Sequence, residues 1–281
     1  MEMDNEVSME RKKEAPVGVF DSGVGGLTVV REIIRQLPEE NIVYFGDTAR
    51  VPYGSKSQKT IIRFSEQIIR FLESRQVKAI VIACNTASAL ALEAVQDEFD
   101  VPILGVVFPG ARAAVKATRN KKIGVVGTDA TVLSGMYTRI IQRMDPGIQV
   151  IEKACPLFVP LVEEGFKEHA VTQEIIEYYL EPLRKTDIDA MILGCTHYPL
   201  LRSKIRAYMG ENIQIVNPAY ETAMDLKQLL RERGMDNNRA DGHDSRYEFY
   251  VSDMAEKFRQ FANTVMPFDV PETNVVNIEG Y

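Results

Sequence analysis

The sequence predicts an α/β fold with two similar domains, each a mostly parallel sheet covered by helices. Short apolar runs rich in β-branched residues alternate with longer stretches whose apolar residues return every three or four positions. Two pairs of segments far apart in the chain also resemble each other. Strand–helix alternation of this kind gives parallel sheets with both faces covered. We therefore expect a ligand site in the cleft between the two domains.

The elements follow from these two periodicities. Each predicted strand is a short apolar run bounded by polar or turn residues, and each predicted helix has one apolar face. The strands span 17–20, 42–45, 79–83, 103–107, 123–126, 148–151 and 190–193. The helices span 27–37, 60–75, 87–98, 133–143 and 171–185.

The internal similarity predicts the domain division. The segment VGVFDSG at 17–23 resembles IGVVGTD at 123–129, and AIVIACNT at 79–86 resembles AMILGCTH at 190–197. We place the break near 108–110, where the sequence reads FPG. The first domain is then 15–107 plus 218–281, the second is 108–217, and 1–14 is a disordered leader.

Composition excludes several classes of protein. With 281 residues, 45% of them hydrophobic, the chain is long enough for two domains with cores. Its net charge of −7 argues against a nucleic-acid partner, because phosphate binding needs a basic surface. No apolar run is long enough to span a membrane, and the charged amino terminus is not a secretory signal. Three cysteines without metal-site spacing predict no disulfide framework, no metal and a reducing cytoplasmic location.

Two cysteines stand at equivalent places. Cys84 and Cys195 each follow a predicted strand and precede a helix or a first helical turn. Ligands of open α/β sheets bind outside such strand ends, and the positive end of a helix favours a thiolate. The alternative is that each is a small buried apolar residue, as free cysteines usually are. The repeated context favours chemistry for this pair, whereas Cys155, which precedes a proline, is interpreted as structural.

The loop after the first strand is rich in glycine. Thr28 stands where a dinucleotide fingerprint needs its third glycine, and no phosphate-binding lysine follows. The loop suits a zwitterion, because its backbone N–H groups can bind a carboxylate while Asp21 attracts an ammonium group. Alternatively, Asp21 or Ser22 simply caps the following helix.

Other polar residues lie on the same predicted edge. Tyr53, after the second strand, either orients a carboxylate or forms the apolar body of a turn. His197 lies two residues after Cys195, and a thiol–imidazole pair is a common way to activate sulfur. His169 and His243 are interpreted as surface residues.

Five motifs in order resemble the glutamate racemases of bacterial cell-wall synthesis, within the aspartate/glutamate racemase superfamily. They are GVFDSGVGGLT at 18–28, YFGDT at 44–48, VPYG at 51–54, ACNTA at 83–87 and GCTHYP at 194–199. The resemblance runs from about Pro16 to about Tyr220, and its specificity comes from the order of all five motifs.

The resemblance implies racemisation of L- and D-glutamate without a cofactor. One thiolate removes the α-proton and the opposite thiol returns a proton to the other face. Cys84 and Cys195 match these two thiols, while Asp21 and His197 match the groups that assist them. A further assisting carboxylate falls on the adjacent glutamates at 163 and 164, and we assign Glu164. The substrate-binding positions are Ser22, Tyr53, Gly54, Asn85, Thr86 and Thr196, together with Asp21 and His197.

The chemistry agrees with this expectation. No lysine motif for pyridoxal phosphate is recognisable, so hydrogen-bond donors around the carboxylate must stabilise the carbanion. The family suggests a homodimer. The expected ligand is the small-molecule substrate, glutamate. Three alternatives remain: a racemase of aspartate or another substrate, a non-catalytic ligand-binding protein, and a thiol hydrolase using Cys195 and His197.

Overall fold

The computed structural model describes residues 13–237, 245–270 and 272–281. The predicted leader therefore lies outside the described residues except for its last two. The backbone carbonyls of Lys13 and Glu14 accept hydrogen bonds from Lys78 Nζ and Asn41 Nδ2. His243 also lies outside the described residues.

The first sheet has six described strands, all parallel, in the order β10-β9-β2-β1-β3-β4. The strands are β1 (Val17–Asp21), β2 (Ile42–Gly46), β3 (Ala79–Ile82), β4 (Ile103–Gly105), β9 (Tyr247–Val251) and β10 (Thr273–Val275). Along β1, Val19 and Phe20 enter two different apolar clusters, one on each face of the sheet. Both faces are therefore buried, as strand–helix alternation predicts.

The second sheet has four described parallel strands in the order β6-β5-β7-β8. They are β5 (Lys122–Gly127), β6 (Gln149–Ala154), β7 (Ala190–Gly194) and β8 (Gln214–Val216). Val125 and Val126 again belong to opposite apolar clusters. The α/β fold class with two parallel sheets is therefore confirmed.

Twelve α-helices cover these sheets within the described ranges. They are α1 (Leu27–Gln36), α2 (Gln58–Ser74), α3 (Asn85–Leu90), α4 (Leu92–Gln96), α5 (Val107–Ala117), α6 (Asp129–Leu133), α7 (Met136–Met144), α8 (Phe158–Glu163), α9 (Ala170–Arg184), α10 (Arg202–Met209), α11 (Pro218–Glu232) and α12 (Ala255–Val265). Throughout the described ranges, no helix is both long and apolar enough to cross a membrane.

Three predicted elements differ from the structure. The strand expected at 103–107 ends at Gly105, where an added Cβ would lie 2.3 Å from Ser88 Oγ, and α5 begins at Val107. Pro109 fits this helix because a proline in the first turn removes no helical hydrogen bond. The helix expected at 87–98 is broken at Ala91 between α3 and α4. The helix expected at 133–143 is interrupted by Gly135, whose φ of 59° ends α6 and starts α7.

The chain crosses between the two sheets twice. After β8 it returns through α11, and β9 then pairs with β2 at the edge of the first sheet. Helices α5 and α11 pack against each other at the crossings; α5 also contacts β7, and α11 also contacts α1. Because these two helices join both sheets, the division at 107/108 and 217/218 stays a prediction.

Candidate active site

The carboxyl ends of the strands in both sheets border one cavity of about 400 Å³. Nine residues predicted for substrate binding or catalysis line it: Ser22, Tyr53, Gly54, Cys84, Asn85, Thr86, Cys195, Thr196 and His197. A neighbouring cavity of similar volume shares Gly23, Val51 and Glu163 with it but is lined by no cysteine. The cavity between the two cysteines is therefore the candidate site.

Cys84 lies at the end of β3 and caps α3. Its sulfur accepts a hydrogen bond from the Ala87 backbone N–H at 3.5 Å, and its thiol donates to Ser22 Oγ at 3.6 Å. Burial and the nearby charge of Asp21 nevertheless raise the pKa of Cys84 to about 12. The helix terminus does favour a thiolate here, because the Ala87 N–H lowers the pKa of Cys84, but burial outweighs this effect. This thiol therefore keeps its proton at neutral pH.

Cys195 begins a chain of polar contacts that runs along the wall of the cavity. Its sulfur lies 3.8 Å from His197 Nδ1, and His197 Nε2 lies 2.8 Å from Glu163 Oε1. Burial alone would lower the pKa of His197, but its contacts with Cys195 and Glu163 outweigh burial and raise that pKa to about 10. His197 is thus a cation at neutral pH, and a cation beside Cys195 attracts negative charge to that sulfur.

Of the two adjacent glutamates, Glu163 contacts His197, whereas Glu164, the residue assigned from the sequence, does not. Glu163 lines the cavity and pairs with His197, which lowers the pKa of Glu163 although burial opposes the shift. The Glu164 side chain is 59% exposed and pairs with Lys257 outside the cavity. Adjacent residues at the end of α8 point in different directions, so only one of the two can face His197.

Asp21 is completely buried and connects the two halves of the site. One carboxylate oxygen accepts a hydrogen bond from the Gly23 backbone N–H, and the other accepts one from the Thr196 hydroxyl at 3.4 Å. Burial raises the pKa of Asp21, although the charge of His197 opposes this shift. Neither Asp21 nor Ser22 caps the following helix, because the capping residue of α1 is Gly26 and no side chain bonds there.

The glycines of this loop allow the two halves to approach closely. A Cβ on Gly25 would lie 2.3 Å from Thr196 Oγ1 and 2.5 Å from the His197 ring. A Cβ on Gly26 would lie 2.5 Å from Asp21 Cβ. Of the loop's three glycines, only Gly23 lines the cavity. Gly25 and Gly26 are therefore explained by packing rather than by contact with a ligand.

The Tyr53 side chain is bound by residues on the side away from the cavity. The Tyr53 hydroxyl donates to Asp47 rather than facing the cavity, and its ring packs on Phe64. Tyr53 begins a 3-10 turn that includes Gly54, and the first N–H groups of such a turn lack partners within it. These N–H groups, rather than the phenol, are therefore the candidate donors for a carboxylate.

Thr86 and Thr128 form part of the wall where the two halves meet. Thr86 Oγ1 lies 2.9 Å from Thr128 Oγ1, and both contact the buried Thr131 hydroxyl. Thr128 was not predicted, yet in the internal similarity it aligns with Ser22. The alignment with Ser22 is therefore the sequence feature from which Thr128 could have been predicted. His169 is exposed, and Cys155 is buried in the apolar core of the second sheet.

Comparison with known proteins agrees with this geometry. Residues 17–225 match the model of the Asp/Glu/hydantoin racemase family. The chain therefore belongs to the Asp/Glu/hydantoin racemases.

Individual relatives are similar over nearly their whole length. A glutamate racemase of Geobacter metallireducens is 44% identical over 94% of this chain and 97% of its own. The crystal structure of a glutamate racemase isoform from Bacillus anthracis superposes with a TM-score of 0.90 at 40% identity, covering 94% of this chain and 98% of that one. The glutamate racemase of Francisella tularensis in complex with D-glutamate gives a TM-score of 0.89 at 36% identity, covering 96% and 100%.

Proposed function

We propose that this protein is a glutamate racemase that interconverts L- and D-glutamate with two thiols and no cofactor. The observation that carries the proposal is a single cavity bordered by Cys84 and Cys195, one from each sheet. Membership of the racemase family and the glutamate racemases of similar sequence support the same substrate. The relative crystallised with D-glutamate supports binding of that enantiomer.

The protonation states of the site suit a two-base reaction. In this reaction Cys84 carries a proton, and Cys195, which lies beside the His197 cation, is the base. Cys195 removes the α-proton of one enantiomer, and the electron pair of the broken C–H bond remains on the α-carbon and its carboxylate. The Cys84 thiol then donates its proton to the opposite face. Inversion follows without any rotation of the substrate in the site.

Regeneration for the same enantiomer requires Cys195 to lose its proton to solvent water and Cys84 to take one up from it. After one turnover Cys195 holds the abstracted proton and Cys84 is a thiolate. This second form is the one that accepts the opposite enantiomer, because the acid and the base are then exchanged. Asp21 sets the charge near Cys84, and Glu163 sets the charge near Cys195 through His197. Both protonation forms of the cysteine pair are therefore accessible.

Donors around the cavity bind the charged groups of the substrate. Ser22, Asn85, Thr86 and Thr196 present hydroxyl or amide groups, and the turn at Tyr53 and Gly54 presents backbone N–H groups. In the transition state the carboxylate next to the α-carbon gains negative charge. Donors fixed in a cavity that excludes water stabilise that charge most strongly. Asp21 is buried behind the cavity wall rather than lining it, and we propose that its charge attracts the ammonium group from there.

Hydrogen exchange at the α-carbon tests this proposal. Purified protein without pyridoxal phosphate is given L- or D-glutamate in deuterated water, with L-aspartate as the comparison substrate. We expect racemisation of glutamate with incorporation of deuterium, and its loss in both Cys84→Ala and Cys195→Ala. Cys155→Ala is the matched control, because Cys155 does not line the cavity, and it should remain active. Normal turnover in either of the first two variants would contradict the two-thiol mechanism.

We further propose that the protein works in the cytoplasm as a homodimer and supplies D-glutamate for peptidoglycan synthesis. The support is the resemblance of its five motifs to the glutamate racemases of cell-wall synthesis. Light scattering at several protein concentrations measures the oligomeric state. Expression in a bacterium that requires added D-glutamate should restore growth, whereas the Cys84→Ala variant should not.

A further inference from the structure

Tyr137 links the two halves of the site although it does not line the cavity. It lies on α7, above the second sheet, and its side chain is completely buried. Its hydroxyl donates a 2.7 Å hydrogen bond to Oδ1 of Asn85, the residue that follows Cys84. Tyr137, from a helix that covers the second sheet, therefore holds Asn85, which follows a strand of the first sheet.

This hydrogen bond fixes which way the Asn85 amide faces. Burial raises the pKa of Tyr137, so its hydroxyl keeps its proton and needs an acceptor. If the Asn85 amide were reversed, that proton would be buried without an acceptor, at the full cost of desolvation. Within the described part of the chain, Asn85 Nδ2 has no acceptor of its own. The two N–H donors of Asn85, which lines the cavity, are thus free for a ligand.

The Tyr137 ring also contacts the segment that carries the other cysteine. A Cβ on Gly194, the residue before Cys195, would lie 3.1 Å from Cε2 of the ring. A Cβ on Gly110 would lie 3.5 Å from the phenolic oxygen. The ring therefore rests against the neighbour of one catalytic cysteine while its hydroxyl holds the neighbour of the other.

We propose that Tyr137 is a positioning residue that orients Asn85 so that its amide N–H groups bind a substrate carboxylate. The inference rests on the proposed racemase function and assigns the residue that prepares one of its donors. Without the hydroxyl, the Asn85 amide is free to rotate, and in half of its orientations its oxygen faces the carboxylate. A carbonyl oxygen repels that group, so substrate binding weakens.

The test is the Tyr137→Phe variant, which removes one oxygen and keeps the ring. We expect KM to rise about tenfold for both L- and D-glutamate, as for the loss of a hydrogen bond to a charged group. The value of kcat should fall less, because the donor binds the carboxylate in the ground state as well as in the transition state. A variant that merely contains less folded protein would lower kcat and leave KM unchanged.

A double-mutant cycle shows whether Tyr137 acts through Asn85. Asn85→Ala should raise KM by itself, and adding Tyr137→Phe to it should change KM less than twofold. Tyr198→Phe is the matched control: Tyr198 is equally buried, but its hydroxyl donates to the Gly127 and Cys155 carbonyls instead of to Asn85. Its KM should stay near that of the unchanged protein.

Asn85→Asp provides an independent measurement should Tyr137→Phe fold poorly. The aspartate still accepts the Tyr137 proton but has no N–H donor, so KM should rise at least as much as in Asn85→Ala.

The inference is overturned if Tyr137→Phe leaves KM unchanged, if its effect is fully additive with Asn85→Ala, or if Asn85→Asp binds glutamate normally. These outcomes are separate from failure of the proposed function. In that case the unchanged protein would itself show no cysteine-dependent racemisation of glutamate.

Discussion

Replacing Gly25 by alanine tests whether the reaction needs the close approach of the two halves of the site. Gly25 lies in the loop after β1, on the side of the first sheet. An added Cβ would lie 2.3 Å from Thr196 Oγ1 and 2.5 Å from the His197 ring. Both contacted residues immediately follow Cys195. One methyl group therefore pushes directly on the segment that carries a thiol and its partner imidazole.

The size of the effect follows from these distances. Non-bonded heavy atoms rest about 3.5 Å apart, so the loop and the 195–197 segment must separate by about 1 Å. Overpacking of this kind costs about 1–3 kcal/mol of folding free energy. A misplacement of about 1 Å within a catalytic site costs on the order of 100-fold in rate. We therefore expect a folded protein with kcat/KM for glutamate reduced about 100-fold.

Circular dichroism of the substrate follows racemisation directly, and thermal unfolding of the same sample measures stability. The matched control is Gly280→Ala, because a Cβ there meets no atom within 4 Å. It should keep the original turnover and melting temperature. If Gly25→Ala racemises glutamate within threefold of the unchanged protein, close approach of the two halves is not required, and our explanation of this glycine fails.

Three further predictions concern charge. The pKa of His197 is raised in the folded protein to about 10 from 6.5, so its stabilising contribution is complete below pH 6.5 and is lost as pH rises through about 10. The melting temperature should fall over that range, and fall less in His197→Asn. Glu163→Gln should lower kcat about tenfold and move the alkaline loss of activity to lower pH, whereas Glu164→Gln should leave the pH–rate profile unchanged. Lys78→Met leaves the buried Glu40 carboxylate without its ion-pair partner and should cost about 3–5 kcal/mol in denaturant unfolding; an unchanged midpoint would show that Glu40 is satisfied by its other contacts.

The strands that could be predicted are those whose apolar runs are buried on both faces. All seven predicted strands are present, with ends displaced by at most three residues. The strands β8 and β10 have only three residues each, and β9 includes Glu248, so none of them gives a continuous apolar signal. Their pairing depends on partners far away in the chain, which local periodicity cannot show.

Site residues could be predicted where a sequence pattern is repeated. They could not be predicted where the direction of a side chain decides which residue faces the cavity. Cys84 and Cys195 were identified because two similar strand ends carry them. The choice between Glu163 and Glu164 required the rotation of a helix, which the sequence leaves undetermined. The raised pKa of Cys84 depends on its burial and on the charge of Asp21, which only the folded chain brings about. Tyr137 stands in an ordinary amphipathic helix, and only the folded chain brings it to Asn85.

The pairing of β2 with β9 has a consequence for biosynthesis. Residues 42–46 hydrogen-bond to 247–251, so about 200 residues must be translated before that edge can be paired. At about 5–20 residues per second, the nascent chain leaves the edge open for about 10–40 s. An unpaired strand edge invites association with other chains. We therefore expect that a ribosome stalled before residue 245 yields an aggregating product, and that chaperones bind this protein chiefly through the exposed edge of β2.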